Sequence, residues 1–373
     1  MSAPKLELVS LVKEYGDGAV VAVDGIDLRV QAGETIALLG PSGCGKSTTL
    51  NMIVGLENPT SGDIHIDGLS VVNVPPGKRD VGLVFQDYAV FPSMTVRGNL
   101  AFGLAVRGRP KHEITRAVSE VAELLGMADR LDVRARELGG SEQQRVAIGR
   151  TLVTRPAVLL LDEPLSNLEA SARLAMRREL RRLQSEIGLT IIYVTHDQVE
   201  ALSLADRIAV MQAGKILQVE KTALICERPD HVTVAGFLGS PPMNLFPGEI
   251  RREPSGRVFY AAGQRLPLPE GLGLRDGTCT LGLRAESLRL TREGDEPLRG
   301  RVSLVEPRGP DAVVTVDIGA LSCRVVVPAA QRPDAGQTVG VSYLPRSLVF
   351  FDADSNRRIA NAFFGEGNDD HAA

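Results

Sequence analysis

Apolar and polar residues alternate along residues 6–35, with glycine-marked turns at Gly16-Asp17-Gly18 and Gly33-Glu34. A period of two is that of half-buried strands, so antiparallel strands are expected there. Thr35-Ile36-Ala37-Leu38-Leu39 breaks the alternation with a short apolar run that reads as a buried strand. Strand-like runs recur over residues 62–85 and end at Val81-Gly82-Leu83-Val84-Phe85. From about Ser93 to Gly149 the period becomes helical, as in Ile114, Val118, Val121, Leu124 and Leu125. Apolar strands return at Val158-Leu159-Leu160-Leu161-Asp162 and Thr190-Ile191-Ile192-Tyr193-Val194. Between them a helix is expected, with Met176, Leu180, Leu183 and Ile187 on its apolar side. Its Arg177-Arg178 and Arg181-Arg182 pairs read as a solvated face rather than a nucleic-acid site.

The pattern changes near Phe237. Prolines, glycines and short alternating strands follow, for example Thr280-Leu281-Gly282-Leu283-Arg284 and Ala312-Val313-Val314-Thr315-Val316-Asp317-Ile318. This predicts a small all-β, barrel-like domain. The acidic tail, Gly365 to Ala373, is expected to be disordered. The domain limits expected are 4–235, with a helical part at about 88–150, then 236–364, then the tail 365–373.

One stretch carries chemistry on its own. Gly40-Pro41-Ser42-Gly43-Cys44-Gly45-Lys46-Ser47-Thr48 fits the phosphate-loop pattern G-x-x-x-x-G-K-[ST]. Glycines let backbone N–H groups turn inward around phosphate oxygens. Lys46 offers a charge to the β- and γ-phosphates, and Ser47 offers a hydroxyl to Mg²⁺. The loop follows an apolar strand and opens a helix at Thr48 to Val54, where the helix dipole favours anions. Cys44 reads as a small filler in that loop, not a nucleophile. About 120 residues later, Leu159-Leu160-Leu161-Asp162-Glu163 ends a strand in two carboxylates. Asp162 is placed to reach Mg²⁺, and Glu163 to polarise a water for attack on the γ-phosphate.

Taken together, these stretches resemble the nucleotide-binding subunit of ABC transporters. Val84-Phe85-Gln86 looks like that family's Q-loop and Tyr193-Val194-Thr195-His196-Asp197 like its switch-histidine segment. Gln144-Arg145-Val146-Ala147-Ile148-Gly149-Arg150 looks like the helix after the signature motif, Pro164-Leu165-Ser166-Asn167-Leu168 like the start of the D-loop, and Lys13-Glu14-Tyr15-Gly16 like the adenine-stacking segment. Downstream, Phe237-Leu238-Gly239-Ser240-Pro241-Pro242-Met243-Asn244 is similar to the junction in importer ATPases for sugars and glycerol phosphates. Leu283-Arg284-Ala285-Glu286 and Leu348-Val349-Phe350-Phe351-Asp352 resemble the regulatory domain of the maltose-importer type.

The resemblance implies an α/β phosphate-loop ATPase core with an antiparallel β subdomain and a helical subdomain, then an all-β, OB-like barrel. It implies ATP and Mg²⁺ as cofactors, with Ser47, Gln86 and Asp162 at the metal. Glu163, His196 and Gln86 become the catalytic group. Gln86 touches Mg²⁺ or the attacking water, and His196 contacts the γ-phosphate. Tyr15, Gly40, Ser42, Gly43, Cys44, Gly45, Lys46, Ser47 and Thr48 line the subunit's own ATP. Gly139, Gly140 and Ser141 face the ATP of a second copy in an ATP-sandwich homodimer. Further implied partners are transmembrane permease subunits and, indirectly, an extracytoplasmic solute-binding protein, with no nucleic acid. Phe85, Tyr88, Val90 and Phe91, beside Gln86, read either as the permease docking face or as core.

The chain departs from the family in one place above all. The signature Leu-Ser-Gly-Gly-Gln is replaced by Leu138-Gly139-Gly140-Ser141-Glu142, and the D-loop ends in Glu169 where Asp is usual. Gly139 keeps an amide but loses a hydroxyl worth about 1.5–3 kcal/mol to a charged acceptor. A Glu142 carboxylate roughly 6 Å from a phosphate costs on the order of 3 kcal/mol at an effective dielectric near 20, which outweighs the up to about 1 kcal/mol a Glu gains at a helix N-terminus. Weak ATP-driven dimerisation and slow hydrolysis are therefore expected. Three readings follow: an importer ATPase, a binding-competent but hydrolysis-impaired regulatory subunit, or a soluble ABC-type ATPase of repair or translation.

Composition changes this picture little. With 373 residues there is room for two domains, and 43% apolar with 24% charged residues is ordinary for a globular protein. No apolar run approaches the roughly 20 residues that span a bilayer, and Met1 to Glu7 lacks a signal-peptide shape. Four scattered cysteines suit reduced thiols in the cytosol. A net charge of −4 argues against a general nucleic-acid binder. The location expected is peripheral, on the cytoplasmic face of the membrane.

Overall fold

The computed structural model describes residues 3–16, 18–291 and 298–359; the expected acidic tail lies outside them. The chain divides into two compact units, 1–225 and 226–373.

In the first unit, β1 (Leu6–Tyr15), β2 (Val20–Val30), β4 (Ser61–Ile66) and β5 (Leu69–Ser70) form an antiparallel sheet of order β2-β1-β4-β5. A six-stranded sheet of order β10-β9-β3-β8-β7-β6 lies at its centre. Its members are β3 (Thr35–Leu39), β6 (Val81–Val84), β7 (Val158–Asp162), β8 (Ile191–Thr195), β9 (Arg207–Gln212) and β10 (Lys215–Lys221). All neighbours pair in parallel except the edge strand β10. All five residues of β3 and of β8 are buried, which is why these runs read as continuous rather than alternating.

Helices flank this sheet. They are α1 (Lys46–Val54), α2 (Val96–Val106), α3 (Lys111–Leu124), α4 (Gly140–Leu152), α5 (Ala170–Ile187), α6 (Gln198–Leu204) and the short α7 (Thr222–Ile225). One core joins α1 to the antiparallel sheet through Leu8, Ile26 and Leu50. Another joins α2, α3 and α4 through Leu100, Val118 and Val146. On α5, Met176, Leu180 and Leu183 are buried as expected, but Ile187 is 45% exposed. It is the last helical residue before Gly188, which turns left-handed at φ 65° and carries the chain away. Tyr88 is core, 7% exposed, whereas Phe85 stays 40% exposed.

The second unit opens with α8 (Val232–Phe237) and then holds two five-stranded antiparallel sheets. The first, in spatial order, is β13 (Gln264–Pro267), β12 (Gly256–Ala261), β11 (Asn244–Glu253), β14 (Gly277–Leu283) and β20 (Val349–Asp352). The second is β15 (Leu288–Thr291), β19 (Thr338–Tyr343), β16 (Leu298–Arg308), β17 (Asp311–Ile318) and β18 (Leu321–Pro328). Alternate residues of both meet in one core that includes Phe259, Leu281, Val314, Val325 and Phe350.

Candidate functional site

The register of the central sheet assembles the site. Leu39 lies opposite Thr195, Asp162 opposite Val194, and Val84 opposite Leu161. The carboxyl ends of β3, β8, β7 and β6 are therefore level. Directly beyond them stand the phosphate loop, His196, Asp162-Glu163 and Gln86 in turn. Crevices at the carboxyl ends of parallel strands are where open α/β sheets bind ligands.

The loop's glycines are dictated by close approach. A Cβ on Gly40 would lie 2.2 Å from the Met211 carbonyl oxygen. At Gly45, which caps α1 with φ 106°, a Cβ would lie 2.4 Å from the Ala22 carbonyl oxygen. The helix starts at Lys46, two residues earlier than its apolar pattern suggested. Lys46 is 5% exposed, and its ammonium donates to the Gly40 and Pro41 carbonyls at 2.8 and 2.9 Å. Cys44 is buried beneath it with Sγ 3.8 Å from Nζ, and burial pushes its thiol pKa up. Ser42, Gly43 and Ser47 are exposed on the loop.

The Ser47 hydroxyl donates to Asp162 Oδ1 at 3.3 Å. Burial, and then the neighbouring Glu163, raises the Asp162 carboxyl above its ordinary range, against the pull of Ser47 and Lys46. Two oxygen donors facing each other, one an anion short of countercharge, suit a hard divalent cation.

Glu163 adopts a left-handed φ of 43°, unusual for a residue with a Cβ. Its amide donates to the Val194 carbonyl at 3.0 Å, and its own carbonyl accepts from Ser166 Oγ at 2.8 Å. This turn puts Glu163 Oε1 3.0 Å from His196 Nδ1. The support beneath His196 was invisible in the sequence. Glu200, 3% exposed, accepts from the hydroxyls of Tyr193 at 2.8 Å and Thr195 at 2.9 Å. Asp197 then caps α6, accepting from Val199 N at 2.7 Å.

Tyr15 ends β1, 40% exposed, and its hydroxyl donates to Glu57. Lys13 Nζ lies 4.9 Å from its ring centroid. Burial and then Glu57 raise the Tyr15 hydroxyl, while Thr48, at the start of α1, pulls it down. Gln86 is exposed, and its backbone carbonyl accepts from Asn167 at 2.9 Å.

Gly139, Gly140 and Ser141 stand apart. Among the described residues no hydrogen bond or ion pair joins them to this cluster. They begin α4, and Glu142 folds back on that start: its Oε2 accepts from the Gly139 amide at 3.1 Å. Its Oε1 lies 3.7 Å from Arg130 Nε. Glu142 is thus not the free carboxylate that the electrostatic cost worked from the sequence assumed.

Such a loop, strand-end carboxylates and histidine on a parallel sheet define a phosphate-loop nucleotide-binding protein. Residues 23–166 match the ABC transporter family model, residues 239–288 the MalK OB fold domain and residues 281–351 the TOBE domain. The chain is 45% identical to the sn-glycerol-3-phosphate import ATP-binding protein UgpC 3 of Rhizobium etli, over 95% of this chain and 99% of that one. It is 40% identical to the sulfoquinovosyl glycerol transport ATP-binding protein SmoE of Agrobacterium fabrum, over 95% and 99%. Among solved structures, cbiO1 of Clostridium perfringens, part of the cbiONQ transporter complex, aligns at TM-score 0.55 and 30% identity. That alignment covers 59% of this chain and 90% of cbiO1. The dimeric ATP-binding cassette MJ0796 with ADP and Pi aligns at 0.52 and 29%, covering 58% and 98%. The chain belongs to the ABC transporter ATP-binding family.

Proposed function

We propose that this chain is the ATP-hydrolysing subunit of an importer for a sugar, polyol or glycerol phosphate. It works as a homodimer on the cytoplasmic face of the membrane, against separate permease subunits fed by an extracytoplasmic solute-binding protein. The observation that carries the reading is the level register of β3, β8, β7 and β6, which gathers phosphate loop, histidine, carboxylates and Gln86 at one sheet end. The names of the relatives, an sn-glycerol-3-phosphate import protein and a sulfoquinovosyl glycerol transport protein, support the solute class. No helix among the described residues is long and apolar enough to cross a membrane.

In this reading Tyr15 stacks on adenine, and the backbone from Gly40 to Thr48 wraps the phosphates. Lys46 exchanges its two neutral carbonyl acceptors for anionic phosphate oxygens, which bind more strongly. Ser47, Asp162 and Gln86 hold Mg²⁺, which offsets phosphate charge when bound. Glu163 takes the proton of the attacking water, and His196, gripped by Glu163 at 3.0 Å, meets the γ-phosphate. Gly139, Gly140 and Ser141 contact the ATP of the second copy. The regulatory and the soluble repair or translation readings are not favoured. Glu163 and His196 are present and paired, and the Rhizobium etli relative, named as an import protein, matches over 95% of this chain.

Calorimetry on Lys46→Ala tests the reading. Loss of a charge-assisted contact of about 1.5–3 kcal/mol weakens ATP binding by about tenfold or more. Unchanged affinity overturns the assignment.

A further inference from the structure

The segment from Gln86 to Phe91 is held by side chains from three other elements. Asn167, in the loop after Glu163, donates to the Gln86 carbonyl at 2.9 Å. Arg150, near the end of α4, donates to the Ala89 carbonyl at 2.6 Å, with its guanidinium 5.1 Å from the Phe91 ring centroid. Asn99 of α2, wholly buried, accepts from Phe91 N at 2.8 Å and donates to Phe91 O at 3.1 Å.

Between the first two holds the backbone is strained. Tyr88 and Ala89 are consecutive residues with left-handed φ, 63° and 46°, and neither is glycine. The Tyr88 hydroxyl is buried with no hydrogen-bond partner among the described residues. A bend of this kind persists only when its surroundings over-determine it. Arg150 is suited to hold it. Among the described residues no carboxylate lies within ion-pair distance of Arg150, so its charge goes to the carbonyl and the ring.

We infer that Arg150, with Asn167, latches this strained bend and so positions Gln86 for ATP hydrolysis. Arg150 is a positioning residue: it touches the segment, not the nucleotide. The latch ties that segment to α4, whose first residues are Gly140-Ser141, and to the loop that carries Glu163. The inference rests on the role proposed above for Gln86.

The test uses the full chain and reads three quantities: hydrogen exchange at amides 86–91, ATP turnover and ATP affinity. Arg150→Met keeps the stem and removes the donor. Exchange in the segment should rise about tenfold and kcat fall about tenfold, with Kd for ATP within about twofold of native. Arg150→Lys, which keeps a donor, should retain most of the rate. Ala89→Gly added to Arg150→Met should recover part of it, because glycine holds a left-handed φ without strain. Should Arg150→Met fail to fold, Asn167→Ala, at an exposed position, should give the same three changes. Unchanged exchange in the segment overturns the latch. So does faster exchange with a native kcat, a fall in affinity that accounts for the lost rate, or no recovery from Ala89→Gly. A native chain that binds but never hydrolyses ATP overturns the functional reading instead, and the exchange measurements still decide the latch.

Discussion

Glu142→Gln separates two accounts of the altered start of α4. If the Glu142 carboxylate faces a partner's phosphate unpaired, removing about 3 kcal/mol of repulsion speeds ATP-driven closure and turnover by about 150-fold. The structure argues for a much smaller change. Arg130 Nε lies 3.7 Å from Oε1, nearer than the roughly 6 Å assumed for the phosphate, and the Gly139 amide donates to Oε2 at 3.1 Å. Arg130 also lies 3.7 Å from Asp129 and is shared, but with the Gly139 amide and salt screening the Glu142 field is still partly offset, and turnover should change by less than about tenfold. Both partners are partly exposed, at 50% and 30%, so the ion pair itself contributes only about 0.2–1 kcal/mol. Glutamine still accepts from Gly139 but forfeits the pair and the dipole interaction, together about 1 kcal/mol. The thermal midpoint of the first unit should fall by about 2–4 °C. Steady-state ATPase assays and thermal unfolding, run side by side, read both effects. Acceleration beyond about tenfold with no loss of stability would refute this reasoning.

Three further outcomes are expected. The Asp162 carboxyl is raised by burial, so its stabilising contribution belongs to its protonated form and is lost as pH rises from its unfolded to its folded pKa. Asp162→Asn should therefore melt higher than native at pH 7, with the gap closing toward acid, while Mg²⁺-dependent ATP binding is lost; a lower midpoint at pH 7 contradicts this. Burial pushes the Cys279 thiol up to about 11 and the Cys323 thiol up to about 12, so neither should alkylate in the native chain at pH 8, and both should in denaturant. Phe85→Ser, at an exposed position, should leave the unfolding free energy within about 0.5 kcal/mol of native, whereas Tyr88→Ser should cost about 3–5 kcal/mol by opening the helical core; denaturant titration of both variants reads the difference.

The sequence made the site legible wherever chemistry is written locally. Gly40 and Gly45 are forced by carbonyls at 2.2 and 2.4 Å, and such demands leave a fixed pattern of glycines. Asp162 and His196 end continuous apolar strands, so their placement followed from the strands. What stayed hidden travels through space. Arg150 reaches a carbonyl 61 residues away, and Asn167 one 81 residues away. Neither leaves a mark on local periodicity. Tyr88 could be read as core or surface because two left-handed residues interrupt any regular period there. The charge of Glu142 looks costly in the sequence only because Arg130, which the fold brings to it from twelve residues back, is not visible beside it there.

The central claim is that the level strand ends form an ATP-hydrolysing site in which Glu163 activates the water. The most direct measurement compares ATP binding and turnover in the native chain and in Glu163→Gln. The native chain should hydrolyse ATP, and the variant should bind it with native affinity while turning over at least about a hundredfold more slowly. A variant that hydrolyses ATP at the native rate would contradict the account.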